Sequence, residues 1–365
     1  MKTEKILEKD LKSQLFDVKL GDFNGDGNFE IVVCSEDGRV LILSNEGEII
    51  HELFISEDKP IWDIELYDIT KNGKFEIISG GMDGLLNVFY LKNSEVELLW
   101  SQQFQSSVSG FFIADINNDV QFELIAYGLD NSLRVLNLGN GNLIWGQLFE
   151  SGIGIVKAYD CDGDGQIELI GGGNDGTIRI FNGKDGSIKW FKKFPRNIRC
   201  LCCFSNKQIV LCGGDDKKIY FLNGVNGDII KSLPMEEYVW GSISYLNKDK
   251  RSKALVYSYS FDFLEDNFIK NKLKFKSKLL CLNDNLEIDW EQAGFNIEDL
   301  KIIQTNLQYI FLGTTKGKLI ILDENNGTIV EEITLSSSIN RLTFWNKCLY
   351  CVTRDGKLII IKLQD

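Results

Sequence analysis

Two short segments carry the densest chemistry in the chain. DFNGDGNFE contributes Asp22, Asn24, Asp26 and Glu30, and DCDGDGQIE contributes Asp160, Asp162, Asp164 and Glu168. Oxygen donors at alternate positions, followed by a glycine that permits a sharp turn, suit a hard cation such as Ca2+. Carboxylates crowded this closely repel one another unless positive charge neutralises them. A third segment, DINNDVQFE, keeps Asp115, Asn117, Asp119 and Glu123 but places Val120 at the turn glycine. A β-branched residue resists the positive φ that glycine accepts. A fourth, DITKNGKFE, carries Lys71 and Lys74, which discourage a cation. The competing reading is a turn whose Asp and Asn side chains cap backbone amides. Metal is expected in the first two segments and capping alone in DITKNGKFE; for DINNDVQFE both readings stand.

An EF-hand begins in the same way but needs a Glu at its twelfth position, where this chain has Val33 and Gly171. The flanking segments also read as strands, not helices, so an ion here would rigidify a turn. Little else in the sequence suggests catalysis. His51, in IIHELF, is the one histidine; without partners it cannot supply a catalytic triad, and a surface or packing role is expected. Cys348 and Cys351 form a lone C-x-x-C on an expected strand, where residues three apart point to opposite faces and do not chelate together. Adjacent Cys202 and Cys203, in CLCCF, fit an apolar inner strand. No acid, base and electrophile can be assembled into a site, and a non-enzymatic protein is expected.

The formal net charge of −13 argues against nucleic acid, which is bound by neutralising phosphates with Lys and Arg. No stretch approaches the roughly 20 apolar residues of a membrane-spanning helix. MKTEKILEKDLKSQLFD lacks the apolar core of a secretory signal, and the nine cysteines follow no framework spacing. A reducing, cytoplasmic location is therefore expected.

The elements that position these groups repeat. An apolar strand, a polar turn, a second strand ending near Asp-Gly, a third strand and a Gly-rich turn recur along the chain. Short β-branched and aromatic runs bounded by EDG, MDG, NDG, TKG and RDG make strands of these units. First strands begin near Phe16, Trp62, Ser109, Gly154, Asn197, Val239, Glu298 and Ile339. The spacing is about 41 to 47 residues, except for about 59 in the sixth unit, and four strands at this period predict an all-β, eight-bladed β-propeller in one domain. The last unit supplies three strands, so residues 3–11 are expected to complete it and close the ring, removing an open sheet edge.

The DxNxDGxxE turn running into an apolar strand resembles the FG-GAP repeat of integrin-alpha-type propellers. That resemblance implies Ca2+ ligands at positions one, three, five, seven and nine, the seventh through its backbone carbonyl. Carried onto this chain they are Asp22, Asn24, Asp26, Asn28 and Glu30, then Asp160, Asp162, Asp164, Gln166 and Glu168. The closing Glu departs from the Asp common in integrin turns, and units five to eight lack the motif. The turns in FNGKDGSIKW, LNLGNGNLIW and LDENNGTIV are also similar to those of quinoprotein-type propellers, a group that favours eight blades.

The function implied is a protein-interaction scaffold. Trp62 and Trp240 stand at the start of innermost strands, around one channel mouth, where large aromatics serve as interface anchors or as packing between blades. Trp100, Trp145, Trp190 and Trp290 end outer strands and read as repeat-packing positions. The extra length of the sixth unit, SYSFDFLEDNFIKNKLKFKSK, adds Phe261, Phe263 and Phe268 with a Lys-rich flank. Insertions in repeat proteins map to loops on one face, often the binding face. The alternatives are an extracellular adhesion or glycan-binding propeller, which predicts disulfides, and a quinone-dependent dehydrogenase.

Overall fold

The computed structural model describes residues 2–260, 277–304 and 308–364. Eight four-stranded antiparallel sheets are arranged as blades. Their innermost strands are Leu15–Gly21, Ile61–Tyr67, Val108–Ala114, Ile153–Tyr159, Ile198–Phe204, Tyr238–Leu246, Ile297–Gln304 and Ile339–Trp345. Blade eight is completed by Lys2–Asp10, which pairs antiparallel with Lys357–Gln364 and closes the ring. Among the described residues no helix is long and apolar enough to cross a membrane.

The core lies between blades, which explains the continuous apolar runs in the sequence. In blade one, Ile31, Val33, Leu41 and Leu43 pack against blade eight, while Val32, Cys34, Val40 and Ile42 pack against blade two. Side chains alternate faces along a strand. With both faces buried, each strand reads as unbroken hydrophobe and not as alternation.

Neighbouring blades are latched at their outer strands. Trp100, Trp145, Trp190 and Trp290 donate their indole N–H groups to the carbonyls of Leu138, Gly183, Gly224 and Glu324 in the next blade, at 2.7–3.1 Å. Each ring covers a turn glycine of that blade, namely Gly141, Gly186, Gly227 and Gly327. In blade five Lys231 takes the position and donates to the Leu286 carbonyl at 2.6 Å. In the closing strand Leu7 takes it and covers Gly47 of blade one. The first strand of the chain is thus an outer strand in register, geometry and packing.

Two faces result. Acidic turns follow the innermost strands on one face, the turn face. The Asp-Gly hairpins between second and third strands lie on the other, the hairpin face.

Candidate functional site

The first turns of blades one to four share one hydrogen-bonding scheme. Asp22 accepts from the amides of Gly25 and Gly27, Asn24 from Asp26, and Asp26 from Asn28. Asp160, Asp162 and Asp164 repeat this toward Gly163, Gly165, Asp164 and Gln166. In blade three, Asp115 accepts from Asp119 and Val120, Asn117 from Asp119, and Asp119 from Gln121. Val120 adopts the same left-handed conformation as the glycines, with φ of 68°, against the steric expectation. Blade two uses Asp68 and Asn72 in the same way.

The ninth residue is a buried glutamate in all four turns: Glu30, Glu76, Glu123 and Glu168. Each accepts from the amide of the turn's second residue, at 2.7–3.1 Å. Burial pushes the carboxyls of Glu30 and Glu123 above the ordinary range, against the backbone bonds that favour ionisation. The carboxylate of Asp26 is held low by the Asn28 amide, and that of Asp164 by the Gln166 amide. Amide capping and metal coordination are compatible, since a carboxylate offers about four acceptor positions.

The two strongest sequence candidates then diverge. In blade one, Asn24 Nδ2 donates to Glu30 Oε1 at 2.8 Å and Asp26 Oδ2 at 3.1 Å. Among the described residues no Lys or Arg ion-pairs with Asp22, Asp26 or Glu30. Lys74 of blade two crosses Gly25 with its aliphatic chain. The three carboxylates leave this turn net-negative, and it fits a hard cation only with Asn24 turned so that Oδ1, and not its Nδ2 donor, faces Glu30 and Asp26. In blade four the oxygens of Asp160, Asp162 and Glu168 lie within 4.8 Å of one another. Lys189 Nζ, however, already reaches Asp162 at 2.5 Å, Glu168 at 2.9 Å and Asp164 at 3.3 Å. Burial alone would lower its pKa; hydrogen bonds to Asp162 and Glu168 and their charges raise it instead. The blade-four turn, with an ammonium in place, does not fit a free divalent cation. Lys189 was missed in the sequence because it lies beyond the turn, on another strand.

The aromatic candidates lie on the opposite face, one strand length away, roughly 20 Å. Trp240 packs against Tyr259 with ring centroids 5.1 Å apart, and the Arg199 guanidinium stands 5.3 Å from its ring. Lys217 lies 5.0 Å from the neighbouring Tyr238 ring. Trp62 is half-buried at the corresponding position of blade two. The blade-six insertion leaves this face after Ser260 and returns at Ser277; Phe261, Phe263 and Phe268 fall outside the described residues.

Inside the channel is a charged cluster that sequence reading did not find. Asp17 accepts from its neighbour Val18 and from Ile64 of blade two, and lies 3.3 Å from Arg341 and 3.7 Å from Lys19. Asp299 repeats the interblade contact by accepting from Leu342 of blade eight at 2.8 Å. Asp63 lies against Asp17; burial and the Asp17 charge push its carboxyl well up. The signal available in sequence was a polar residue at the third position of inner strands, but nothing there pairs one with another.

The remaining candidates are packed. His51 sits where other blades carry the latch tryptophan, edge-on to Phe23. Cys200, Cys202 and Cys203 are buried in the inner strand of blade five, and burial pushes the Cys200 and Cys202 thiols up to about 12. Cys351 packs toward blade seven and Cys348 toward blade one, on opposite faces of their strand. All nine cysteines are free thiols.

Fold and site define an eight-bladed β-propeller with capped acidic turns on one face and an aromatic cluster on the other. Residues 154–274, spanning most of blades four to six, match the family model of the lambda-carrageenase β-propeller domain. No curated protein matches the sequence. Among solved structures, the chain is similar to Sqt1 of Saccharomyces cerevisiae, with a TM-score of 0.75, 11% identity and 100% of both chains covered. It is similar to the computationally designed protein Ika8 with a TM-score of 0.70 and 14% identity, covering 97% of this chain and 98% of that one. BamB from Moraxella catarrhalis aligns with a TM-score of 0.69 and 15% identity, covering 99% of this chain and 100% of that one. At these identities the likeness is one of fold.

Proposed function

We propose that this chain is a non-enzymatic protein-interaction scaffold, a propeller of the FG-GAP type that offers its hairpin face to a protein partner. The observation that carries the reading is the cluster of Trp240, Tyr259, Tyr238 and Arg199 at the channel mouth, with Trp62 on the same face. Trp, Tyr and Arg dominate the energetics of protein interfaces. Phe261, Phe263 and Phe268, in the insertion that begins after Ser260 and lies outside the described residues, are counted in the proposed partner site.

The FG-GAP reading is supported by the shared turn scheme of blades one to four. In blade one a structural Ca2+ would be held by Asp22, Asn24, Asp26 and Glu30 and by the Asn28 carbonyl, neutralising the turn and fixing its shape. Asp115, Asn117, Asp119 and Glu123 offer a weaker copy. Free, buried thiols support a reducing, cytoplasmic location.

The test is affinity capture of the tagged protein from its own cells, with Ca2+ and with chelator. A partner captured by the wild type and by Asp22→Asn, but lost from Trp62→Ala/Trp240→Ala with the fold intact, is the expected result. Equal capture by the tryptophan variant sinks the face assignment, and no specific partner in either condition sinks the scaffold.

A second reading, a glycan-binding propeller, has one observation in its favour. A cavity of about 340 Å3 on the turn face is lined by Tyr159, Cys203, Asn206, Ser244, Tyr245, Leu246 and Ser252. All seven fall within the segment matched by the carrageenase propeller model. Calorimetric titration with lambda-carrageenan oligosaccharides, with Tyr159→Ala as control, separates it from the scaffold.

A further inference from the structure

The acidic turn of blade four is completed by a side chain outside it. Lys189 Nζ contacts carboxylate oxygens of Asp162, Asp164 and Glu168, the third, fifth and ninth residues of the turn. An ammonium and a divalent cation cannot share that position, because like charges so close repel strongly.

The backbone delivers this lysine. In the outer strand of blade four, Trp190 pairs with Ile180 and Ile188 with Phe181, so Lys189 is the extra residue of a β-bulge. Bulges re-aim side chains out of the regular alternation. The same bulge occurs in every blade, and in blades one, three, five and seven its residue is Ile50, Ile144, Ile230 and Val330. None of these supplies a charge to the turn beside it.

Blade six adds an independent observation. Lys253 pairs with Tyr245 as Glu168 pairs with Tyr159, so the two residues hold equivalent positions. The bulge residue of blade six is Asp289; Lys253 Nζ lies 3.6 Å from it and 3.0 Å from Glu324 of blade seven, its nearer partner. The same two positions are therefore joined by an ion pair of reversed sign, in a blade whose first turn, Asn247–Arg251, lacks the acidic motif. Although Glu324 holds this lysine more closely, the blade shows the two positions within ion-pair reach of each other without a metal loop.

We propose that the blade-four turn takes the Lys189 ammonium as its permanent cation, so that divalent-cation binding falls to blade one. This rests on the reading of these turns as cation loops. It assigns Asp160, Asp162, Asp164 and Glu168 a different occupant from Asp22, Asn24, Asp26 and Glu30, although the motifs match.

The experiment is calorimetric titration with CaCl2, with Tb3+ luminescence in parallel, on the wild type, Asp160→Asn, Lys189→Met and Lys189→Met/Asp160→Asn. Lys189→Met should bind one ion more than the wild type, and adding Asp160→Asn should remove it; Asp160→Asn alone should leave the wild-type stoichiometry unchanged. Loss of an ion from Asp160→Asn alone overturns the proposal, as does a folded Lys189→Met that gains none. A wild type that binds no ion, beside a Lys189→Met that binds one, overturns the assignment of divalent binding to blade one but supports Lys189 as the cation of blade four. Should Lys189→Met fail to fold, the blade-six arrangement provides the second test. Glu168→Lys/Lys189→Asp should recover the melting temperature lost in Lys189→Asp, and no recovery overturns the paired role.

Discussion

Trp190 of blade four donates its indole N–H to the Gly224 carbonyl of blade five at 2.7 Å, and its ring covers Gly227, which has φ of 74°. The two contacts make different demands. Trp190→Phe keeps an aromatic ring but orphans a buried carbonyl, and is expected to cost about 1–3 kcal/mol. Gly227→Ala drives a Cβ into the ring and strains the backbone, and should cost at least as much. Urea unfolding of both variants checks this; a Trp190→Phe midpoint equal to wild type would show that the hydrogen bond contributes nothing net.

Val120 is held at φ of 68° where blades one, two and four place Gly27, Gly73 and Gly165 at 81–86°. Its side chain is 77% exposed, so truncation forfeits little packing. Relief of left-handed strain should exceed the entropy cost of glycine, and Val120→Gly is expected to stabilise by about 1 kcal/mol. The measurement is a higher urea midpoint at unchanged slope. A lower midpoint would mean that the turn is strain-free as it stands.

Blade number, strand content and ring closure were legible because each arises from a local or additive signal. Runs such as EIVVCS and RVLIL mark strands buried on both faces, Asp-Gly marks the hairpins, and a missing fourth strand in the last unit pointed to the N-terminus. The acidic turns were legible as turns, and their shared capping is the chemistry anticipated for Asp and Asn there. What decides their occupant was not legible. Lys189 reaches Glu168 across an intervening strand and from a bulge, and no periodicity records where a bulge aims its side chain. Asp17 and Arg341 meet only because the ring closes, so their ion pair joins opposite ends of the sequence. Trp62 and Trp240 were legible as residues at a channel mouth, but the stacking of Trp240 with Tyr259 depends on a bulged strand beginning, where the register shifts between Val239 and Gly241.

The closing strand predicts the behaviour of a shortened chain. Lys2–Asp10 supplies the outer edge of blade eight, Leu7 covers Gly47 of blade one, and Lys357 pairs with Glu8 at 2.7 Å. Deleting residues 1–10 uncovers a strand edge and the blade-one turn together. The melting temperature should fall by at least several degrees, with concentration-dependent association through the opened edge. Leu7→Asp should reproduce part of the loss without opening the edge, and so without association. Sedimentation velocity beside thermal melting separates the two effects, and a deletion variant that melts like the wild type refutes the stabilising role.

The channel predicts a pH dependence of known sign. Asp63 faces Asp17, with Arg341 and Lys19 opposing their repulsion, and burial followed by the Asp17 charge raises the Asp63 pKa above the ordinary carboxylate range near pH 4. A raised carboxyl pKa means that the folded state binds the proton more tightly than the unfolded chain. Its contribution is therefore present at and below the ordinary range and is lost as pH rises through the raised pKa. The depressed pKa of Asp17 acts oppositely, but below that window. Asp63→Asn keeps a neutral, hydrogen-bonding side chain beside Asp17 and removes the titration. Between about pH 5 and about pH 9 the wild type should lose more melting temperature than Asp63→Asn, and the variant should be the more stable at the alkaline end. Parallel profiles for the two proteins would mean that Asp63 is already ionised in the folded channel, with Arg341 and Lys19 together outweighing both burial and the charge of Asp17.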